Sequence, residues 1–305
     1  MDLHEEIDAS KILFTGLDSA GKTSIILALQ REFSQIATLK PTRQAQRKIF
    51  EYLGKKIAEW DLGGQARYRI AYLKAPGKYF DKTAVCIYVI DIQDEKRLEE
   101  SLSYLQDVIK QFKKLEISPP IYIFLHKNDP ALKKVAPVET AKKLLDIKNQ
   151  ASKLVSDEFS VDFFKTSIYD LWSIMAAFSK ILLSLYPQSE LIDKTITEFG
   201  GKHDTEAILI LDDNSLIIGQ YFKNEDVRAI LEQSTPYFLT LNDSFENAEL
   251  PRKKMIVERS GKAFYFNEIS YEDDRKPLFM LMMKGKNDFN ESEIKTFMKV
   301  IRDLV

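Results

Sequence analysis

Residues Gly16 to Thr23 read Gly-Leu-Asp-Ser-Ala-Gly-Lys-Thr, and this octet decides the fold of the first part of the chain. It follows the apolar run from Ile12 to Phe14 and leads into helix-forming residues from Ser24 onward. Glycine at both ends allows the backbone to curl into a ring of N–H donors, and the helix that follows points its positive end at a bound anion. The stretch therefore predicts the strand, phosphate loop and helix of a nucleoside-triphosphate site.

Several residues of this loop are expected to contact the nucleotide directly. Lys22 would reach the β- and γ-phosphates, and Thr23 would offer its hydroxyl to Mg²⁺. The expected contacts from the loop and the helix start are Asp18, Ser19, Ala20, Gly21, Lys22, Thr23 and Ser24.

Length and composition indicate an ordinary globular protein with two domains. The chain has 305 residues, of which 45% are apolar and 30% are charged. The single cysteine, Cys86, lies within an apolar run, so no disulfide can form within the chain. We expect a cytoplasmic protein because the sequence shows no signal peptide, long apolar span or lipidation motif. No stripe of basic and aromatic residues indicates nucleic-acid binding, and any membrane contact would come through partners.

Strands alternate with helices over the first 187 residues. The predicted strands lie at 48–52 and 56–60, which form an antiparallel hairpin, and at 84–91, 120–126 and 160–165. The predicted helices lie near 95–114, 138–156 and 170–186. This alternation predicts an α/β domain over residues 1–187, with a mainly parallel sheet, helices on both faces and ligands at the carboxyl ends of the strands.

A second, smaller α+β domain is expected over residues 205–305, after a partly helical linker at 188–204. Lys and Arg outnumber Asp and Glu up to residue 187, and the reverse holds beyond it, which supports this boundary. Gly200-Gly201 is expected to loosen the chain, and the helix at 225–242 to be interrupted or restarted at Pro236. The element order β-β-α-β-β-β-α predicts one antiparallel sheet with helices packed on it. We interpret the strands within 207–218 as an edge or interface of that sheet.

A sensor of the γ-phosphate is expected in Trp60-Asp61-Leu62-Gly63-Gly64-Gln65, which follows a predicted strand. Asp61 would reach Mg²⁺ through water, and the Gly64 amide would contact the γ-phosphate. Gln65 would orient the attacking water, which makes it the candidate catalytic residue.

A second hydroxyl ligand for Mg²⁺ is expected in the stretch from Gln35 to Gln44, which has little secondary-structure signal. Thr42, after Pro41, is the preferred candidate, and Thr38 competes with it. Such a threonine binds the metal when the γ-phosphate is present and releases it when the γ-phosphate is absent.

Selection of the base is expected after the strand that ends near Leu125, where His126-Lys127-Asn128-Asp129 follows. The Asp129 carboxylate would accept hydrogen bonds from the ring N–H and amino group of guanine, a donor pair that adenine lacks. Lys127 would lay its alkyl stem along the base, and His126 would tether the phosphate loop. Ser167-Ile168 would bring a backbone amide to the guanine carbonyl.

Together these residues resemble a small GTPase, and the whole chain most resembles the Rag/Gtr GTPases, which carry a GTPase domain followed by a roadblock, longin-like domain. His126-Lys127-Asn128-Asp129 resembles the Rag form of the guanine motif, and the segment from Thr166 to Asp170 resembles its Rag counterpart. The phosphate loop and Pro41-Thr42 resemble the Arf type instead. The amphipathic, acylated N-terminal helix of Arf proteins has no match in the short acidic stretch Met1–Glu6.

The resemblance implies GTP or GDP and Mg²⁺ as ligands, and slow hydrolysis that needs a partner. It also implies a homo- or heterodimer formed through the second domain, with regulator and effector proteins as further partners. The leading hypothesis is thus a GTP-hydrolysing switch. The alternatives are a constitutively loaded adaptor with incidental hydrolysis, motivated by the variant His126 and Ser167-Ile168, and an adenylate-using kinase or motor ATPase.

Charged side chains near the loop have simpler interpretations. We expect Arg43, Arg67 and Arg69 to be solvated loop charges, and we assign no arginine finger. Asp18 either repels an incoming arginine or turns to solvent.

Overall fold

The computed structural model describes residues 9–30, 32–36, 38–155, 158–248, 254–271 and 276–305. The chain divides into two compact units, the first ending at Ala177 and the second beginning at Phe178. The sequence-based domain limits at 187 and 205 stay a prediction. The acidic stretch Met1–Glu6 lies outside the described residues.

The first unit is built on a six-stranded sheet. Its strands are β1 (Ser10–Gly16), β2 (Ala45–Tyr52), β3 (Lys55–Leu62), β4 (Thr83–Asp91), β5 (Ile121–His126) and β6 (Val161–Thr166). They are arranged in the order β2-β3-β1-β4-β5-β6, in which β2 is antiparallel to β3 and the other neighbours are parallel. The predicted hairpin and mainly parallel sheet are confirmed.

Helices connect these strands. They are α1 (Lys22–Leu29), α2 (Phe33–Ile36), α3 (Ala66–Lys74), α4 (Pro76–Tyr79), α5 (Leu98–Lys114), α6 (Pro130–Val135), α7 (Pro137–Leu154) and α8 (Leu171–Ser184), with a 3-10 turn at Glu95–Arg97. Helix α8 contains the division between the two units. The strand β4 and the apolar side of α5 illustrate the packing, because Cys86, Tyr88, Leu105 and Val108 are all completely buried in one hydrophobic cluster. Such burial of apolar side chains supplies most of the stabilisation of the sheet.

The second unit contains one antiparallel sheet and three helices of its own. The elements are α9 (Ser189–Lys202), β7 (Ala207–Leu211), β8 (Ile217–Phe222), α10 (Glu225–Asn247), β9 (Met255–Arg259), β10 (Lys262–Ile269), β11 (Leu278–Lys284) and α11 (Glu291–Leu304). The strand order is β8-β7-β11-β10-β9. Asn290 caps the last helix, since its Oδ1 accepts hydrogen bonds from the amides of Ser292 at 3.1 Å and Glu293 at 3.4 Å.

Two expectations for this unit are wrong, and a third holds for one of its two strands. The helix α9 continues through Gly200 and Gly201, where we expected a loosened chain. Helix α10 includes Pro236 without a restart. Of the two strands that we interpreted as an edge, β8 lies at an edge of the sheet, whereas β7 is paired on both sides, with β8 and β11. The other edge strand is β9.

Close packing explains why the glycine pair stays helical. A Cβ on Gly200 would lie 2.4 Å from Cδ1 of the Tyr221 ring on β8, whereas a Cβ on Gly201 would meet nothing within 4 Å. Gly200 therefore allows α9 to approach the sheet, and this approach supplies contacts that offset the poor helix propensity of glycine.

Among the described residues, no helix is both long enough and apolar enough to cross a membrane.

The two glycines give a matched test of this packing. We expect Gly200→Ala to destabilise the second unit by about 1–3 kcal/mol, because the added methyl group displaces the Tyr221 ring. Gly201→Ala should stabilise it by about 0.5–1 kcal/mol, because alanine is the better helix former. Urea unfolding followed by circular dichroism measures both changes. Equal stability of the two variants would contradict the packing role of Gly200.

Candidate nucleotide-binding site

The residues singled out in the sequence gather in one cleft at the carboxyl ends of the parallel strands of the first unit. The cleft is lined by Asp18, Ser19, Gly21, Lys22, Thr23, Ser24, Leu39, Lys40, Pro41, Thr42, Gly64, Gln65, Gln93, His126, Lys127, Asp129, Ile168 and Tyr169. Of the expected nucleotide contacts, Ala20 and Ser167 are buried and do not line the cleft.

Glycines set the shape of the phosphate loop because no larger residue fits. Gly16 has a φ of 137°, and a Cβ there would lie 2.4 Å from a carbonyl oxygen of β4. Gly21 has a φ of 100°, and its Cβ would lie 2.5 Å from the His126 ring. Gly64, after β3, lies so close to the loop that its Cβ would be 2.1 Å from the Asp18 amide nitrogen. The loop and the segment that follows β3 therefore touch through their backbones.

Lys22 begins α1, and its side chain lies beneath the loop with only 4% of its surface exposed. Its Nζ donates hydrogen bonds to the carbonyl oxygens of Leu17 at 2.7 Å and Gly16 at 3.2 Å. Burial lowers the pKa of Lys22 to about 8, and the charges of Asp61 and Asp18 oppose this shift. The ammonium group is thus held by neutral carbonyls next to the cleft.

Three oxygen-bearing side chains converge beside Lys22. Thr23 Oγ1 donates to Asp61 Oδ2 at 2.6 Å and lies 2.6 Å from Thr42 Oγ1. Thr42 Oγ1 also donates to Asp61 Oδ2, at 3.4 Å. The competing candidate, Thr38, instead donates its hydroxyl to the carbonyl oxygen of Gln35 at 3.3 Å and is exposed.

This cluster fits a hard divalent cation such as Mg²⁺. Hydroxyl and carboxylate oxygens are the ligands that Mg²⁺ prefers, with water and phosphate oxygens completing its octahedron. The second carboxylate oxygen, Asp61 Oδ1, is buried and has no hydrogen-bond partner within the described part of the chain. A bound cation or its water shell would satisfy this orphaned acceptor.

At the other end of the cleft, Asp129 is oriented by its neighbours. Ser167 Oγ donates to Asp129 Oδ1 at 2.5 Å, and Gln93 Nε2 donates to Asp129 Oδ2 at 2.9 Å. Gln93 Nε2 also donates to the Lys127 carbonyl at 2.7 Å. Since Asp129 faces the cleft, the carboxylate is held ready to accept hydrogen bonds from a ligand.

The two residues before Asn128 are fixed by different interactions. Lys127 Nζ forms an ion pair with Asp91 Oδ2 at 2.6 Å. His126 is buried, its Nδ1 lies 3.0 Å from Thr166 Oγ1, and its ring packs against Gly21. Burial, assisted by the charge of Lys127, lowers the pKa of His126 to about 4, so the ring is neutral at physiological pH. The expected link to the phosphate loop takes the form of ring packing against Gly21.

Gln65 stands at the N-cap of α3 and lines the cleft. Its side-chain oxygen Oε1 accepts a hydrogen bond from Arg67 Nε at 3.1 Å. The residue expected to orient water is therefore in place, with its carbonyl group engaged by a neighbouring arginine.

A comparison of the sequence with known protein families gives a match over most of the chain. Residues 11–238, which are 228 of the 305 residues, match the Gtr1/RagA G protein conserved region. The chain belongs to the Gtr1/RagA family of G proteins. This match confirms the predicted resemblance to the Rag/Gtr GTPases.

Individual relatives are Arf-like, in agreement with the Arf-type phosphate loop. The chain is 38% identical over 120 residues to ADP-ribosylation factor-like protein 3 of Chlamydomonas reinhardtii, covering 39% of this chain and 63% of the relative. It is 31% identical over 134 residues to ADP-ribosylation factor F of Dictyostelium discoideum, covering 44% and 67%. The chain thus spans roughly two thirds of the length of these curated relatives or slightly less.

One solved structure that aligns with part of the chain is the small GTPase Arl6 (BBS3) of Trypanosoma brucei with the bound nucleotide analogue GppNp. It aligns with a TM-score of 0.45 and 19% sequence identity, covering 58% of this chain and 96% of that chain.

Sequence reasoning missed several residues of the Gtr/Rag-family cleft. Four further residues line the cleft: Leu39, Lys40, Gln93 and Tyr169. In addition, Arg97 forms a hydrogen bond to Asp18 of the phosphate loop. Gln93 and Arg97 follow β4, whose carboxyl end is one of those expected to face a ligand. Neither residue belongs to a motif. The only feature of the sequence that could have indicated them is their place just after β4.

Two interpretations of charged residues are wrong. Arg69 is not a solvated loop charge, since its side chain is only 11% exposed, forms an ion pair with Glu100 and lies over the Tyr104 ring. Asp18 does not turn to solvent, because its carboxylate pairs with Arg97 at 2.7 Å. Its effect on an incoming arginine stays a prediction. Arg43 and Arg67 are exposed, as expected.

Proposed function

We propose that this Gtr/Rag-family protein is a slowly GTP-hydrolysing switch that dimerises or recruits partners through its second domain. The observation that supports the catalytic part best is the single cleft that joins Lys22 and the Thr23–Thr42–Asp61 cluster to Asp129. The residues proposed to contact the phosphates and the base line this one cleft, and the side chains proposed to hold the cation are bonded to one another beside Lys22.

The phosphate end would work by charge and by backbone dipoles. Lys22 would exchange its carbonyl partners for oxygens of the β- and γ-phosphates. The amides from Asp18 to Ser24 would donate to the phosphates, and α1 would direct its positive end at them. Thr23 and Thr42 would hold Mg²⁺ directly and Asp61 would hold it through water. Bound Mg²⁺ would neutralise charge on the phosphate oxygens.

The base end would select guanine by hydrogen-bond polarity. Asp129 would accept from the ring N–H and the amino group, and Ser167 already positions one of its oxygens. The Ser167-Ile168 backbone would meet the guanine carbonyl, and the Lys127 stem would cover the base. Adenine offers no matching donor pair to the carboxylate, so the pocket would reject it.

Hydrolysis would depend on Gln65, which must release Arg67 before it can orient water. The Gly64 amide would contact the γ-phosphate. We assign no arginine finger from this chain, so turnover would be slow until a regulator protein binds.

The second unit offers a surface suited to dimerisation. Four large apolar side chains are exposed along α10, at spacings of seven, four and four residues: Ile230, Tyr237, Leu241 and Phe245. Tyr237 is 77% exposed and Leu241 is 44% exposed. All four side chains share one face of the helix. An adjacent face of the helix packs on the sheet, where Phe238 contacts Phe264 and Phe266 of β10.

The sheet edge at β9 adds a second feature of the same unit. Strand β9 pairs with β10 on one side, and its Ile256 and Val257 are each 40% exposed. An exposed apolar edge strand favours pairing with another chain. The proposed partner is a second copy or a homologous chain, with effectors recruited to the assembled dimer.

Base selection can be tested with Asp129→Ala and the matched control Asp146→Ala, an exposed aspartate on α7. Loss of two charge-assisted hydrogen bonds should weaken GDP binding about a hundredfold or more, whereas the control should bind like the parent. The measurement is competition against a fluorescent GDP derivative. Equal affinity of the parent for ADP and GDP would contradict the proposed function.

Hydrolysis can be tested with Gln65→Leu in single-turnover reactions. We expect the rate to fall by at least about tenfold, because leucine cannot orient water. Gln106→Leu on the exposed side of α5 makes the same replacement away from the cleft and should leave the rate unchanged. Hydrolysis by Gln65→Leu at the parental rate would remove the role assigned to Gln65.

Dimerisation can be tested with Leu241→Asp on α10, because a carboxylate on an apolar interface is costly to bury. Sedimentation equilibrium should show a dimer of the parent and a monomer of this variant. Leu145→Asp, on an exposed apolar residue of α7, is the control and should remain dimeric. A parent that stays monomeric at all concentrations would exclude a homodimer.

The alternative function is an adaptor that stays loaded with nucleotide and hydrolyses it only incidentally. The engagement of Gln65 by Arg67 favours it. The switch predicts partner affinities that differ between the GDP- and GppNp-bound forms, and the adaptor predicts equal affinities.

A further inference from the structure

The phosphate loop carries an acidic side chain next to the place where the γ-phosphate is expected. Asp18 lines the cleft, and its amide touches the backbone of Gly64, the residue proposed to contact the γ-phosphate. Its charge also acts on Lys22, the residue proposed to bind the terminal phosphates. A second anion at this position would repel the γ-phosphate unless something neutralised it.

Arg97 supplies that neutralising charge from within the chain. Its Nη2 lies 2.7 Å from Asp18 Oδ1, and its Nη1 donates to the Asp18 carbonyl at 3.4 Å. The side chain of Asp18 is 34% exposed and that of Arg97 is 31% exposed. Solvent therefore screens the pair less than it would screen charges on an open surface.

Glu100 fixes Arg97 from the other side. The Arg97 Nε lies 3.0 Å from Glu100 Oε2, and the other oxygen of Glu100 pairs with Arg69 of α3. The planar guanidinium group is thus clamped between two carboxylates with its orientation set, so pairing with Asp18 loses little side-chain entropy. Burial acts to raise the pKa of Asp18, but the hydrogen bond and charge of Arg97 outweigh it and hold that pKa below its usual value. Asp18 therefore stays ionised in this arrangement.

We propose that Arg97 determines the preference of this protein for GTP over GDP by pairing with the Asp18 carboxylate and so cancelling its repulsion of the γ-phosphate. The inference rests on the proposed function, since it requires guanine nucleotides in the cleft. It makes Arg97 a positioning residue that acts through Asp18.

The electrostatic argument predicts an effect confined to the third phosphate. GDP ends at the β-phosphate, which Lys22 and the loop amides hold, whereas GTP extends additional negative charge toward Asp18. Without Arg97, one uncompensated carboxylate faces that charge at a distance of a few ångströms. At an effective dielectric constant suited to a partly buried site, this repulsion weakens GTP binding about tenfold relative to GDP.

The test uses the full chain with Mg²⁺ and compares dissociation constants for GppNp and GDP in competition with fluorescent GDP. The variants are Arg97→Ala, Asp18→Asn, the double variant and the control Arg47→Ala, an exposed arginine on β2. We expect Arg97→Ala to raise the ratio of the GppNp to the GDP dissociation constant about tenfold. Asp18→Asn in the same chain should restore the parental ratio, and Arg47→Ala should not change it.

Two results would overturn the inference. An unchanged ratio in Arg97→Ala would show that the pair does not affect GTP preference. A ratio that stays high in the double variant would show that Arg97 contacts the γ-phosphate itself. Recovery of the ratio in the double variant also proves that the chain folds without Arg97. Failure of the parent to bind either nucleotide would instead contradict the proposed function.

Discussion

The nucleotide-binding cleft of the first unit depends on how the ammonium group of Lys22 is held. This group is buried beneath the phosphate loop and bonded to the carbonyl oxygens of Gly16 and Leu17, which are neutral acceptors. Within the described chain, no carboxylate forms an ion pair with it. A buried cation without a partner of opposite charge destabilises a protein, and binding of phosphate would remove that penalty. The site therefore couples the stability of the unit to the presence of its ligand.

Backbone contacts place every other part of the site around this lysine. Gly21 admits the His126 ring and Gly64 touches the loop, so the strand ends of β3 and β5 are brought within reach of one nucleotide. A side chain on Gly21 would push the His126 ring away from the phosphate loop, and a side chain on Gly64 would push the segment after β3 away from it. The charged side chains are also fixed by their neighbours, since Asp61 accepts a hydrogen bond from Thr23 and Asp18 pairs with Arg97.

The sequence predicted what depends on local patterns and short motifs. The hairpin of β2 and β3 and the mainly parallel sheet of the first unit are where the alternation of strands and helices indicated. Gly200 could not be told apart from Gly201, because the difference lies in the Tyr221 ring twenty-one positions away. The pair of Asp18 and Arg97 spans 79 positions and belongs to no motif, so only the folded chain brings it together.

The most direct test of this account is thermal unfolding of the parent and Lys22→Met, each with and without Mg²⁺ and GDP. Tryptophan fluorescence reports the first unit, because both tryptophans, Trp60 and Trp172, lie there. Without nucleotide, the variant should unfold at the same temperature as the parent or higher, since it buries no charge. Only the parent should gain stability from GDP. An equal gain in Lys22→Met would contradict the central claim.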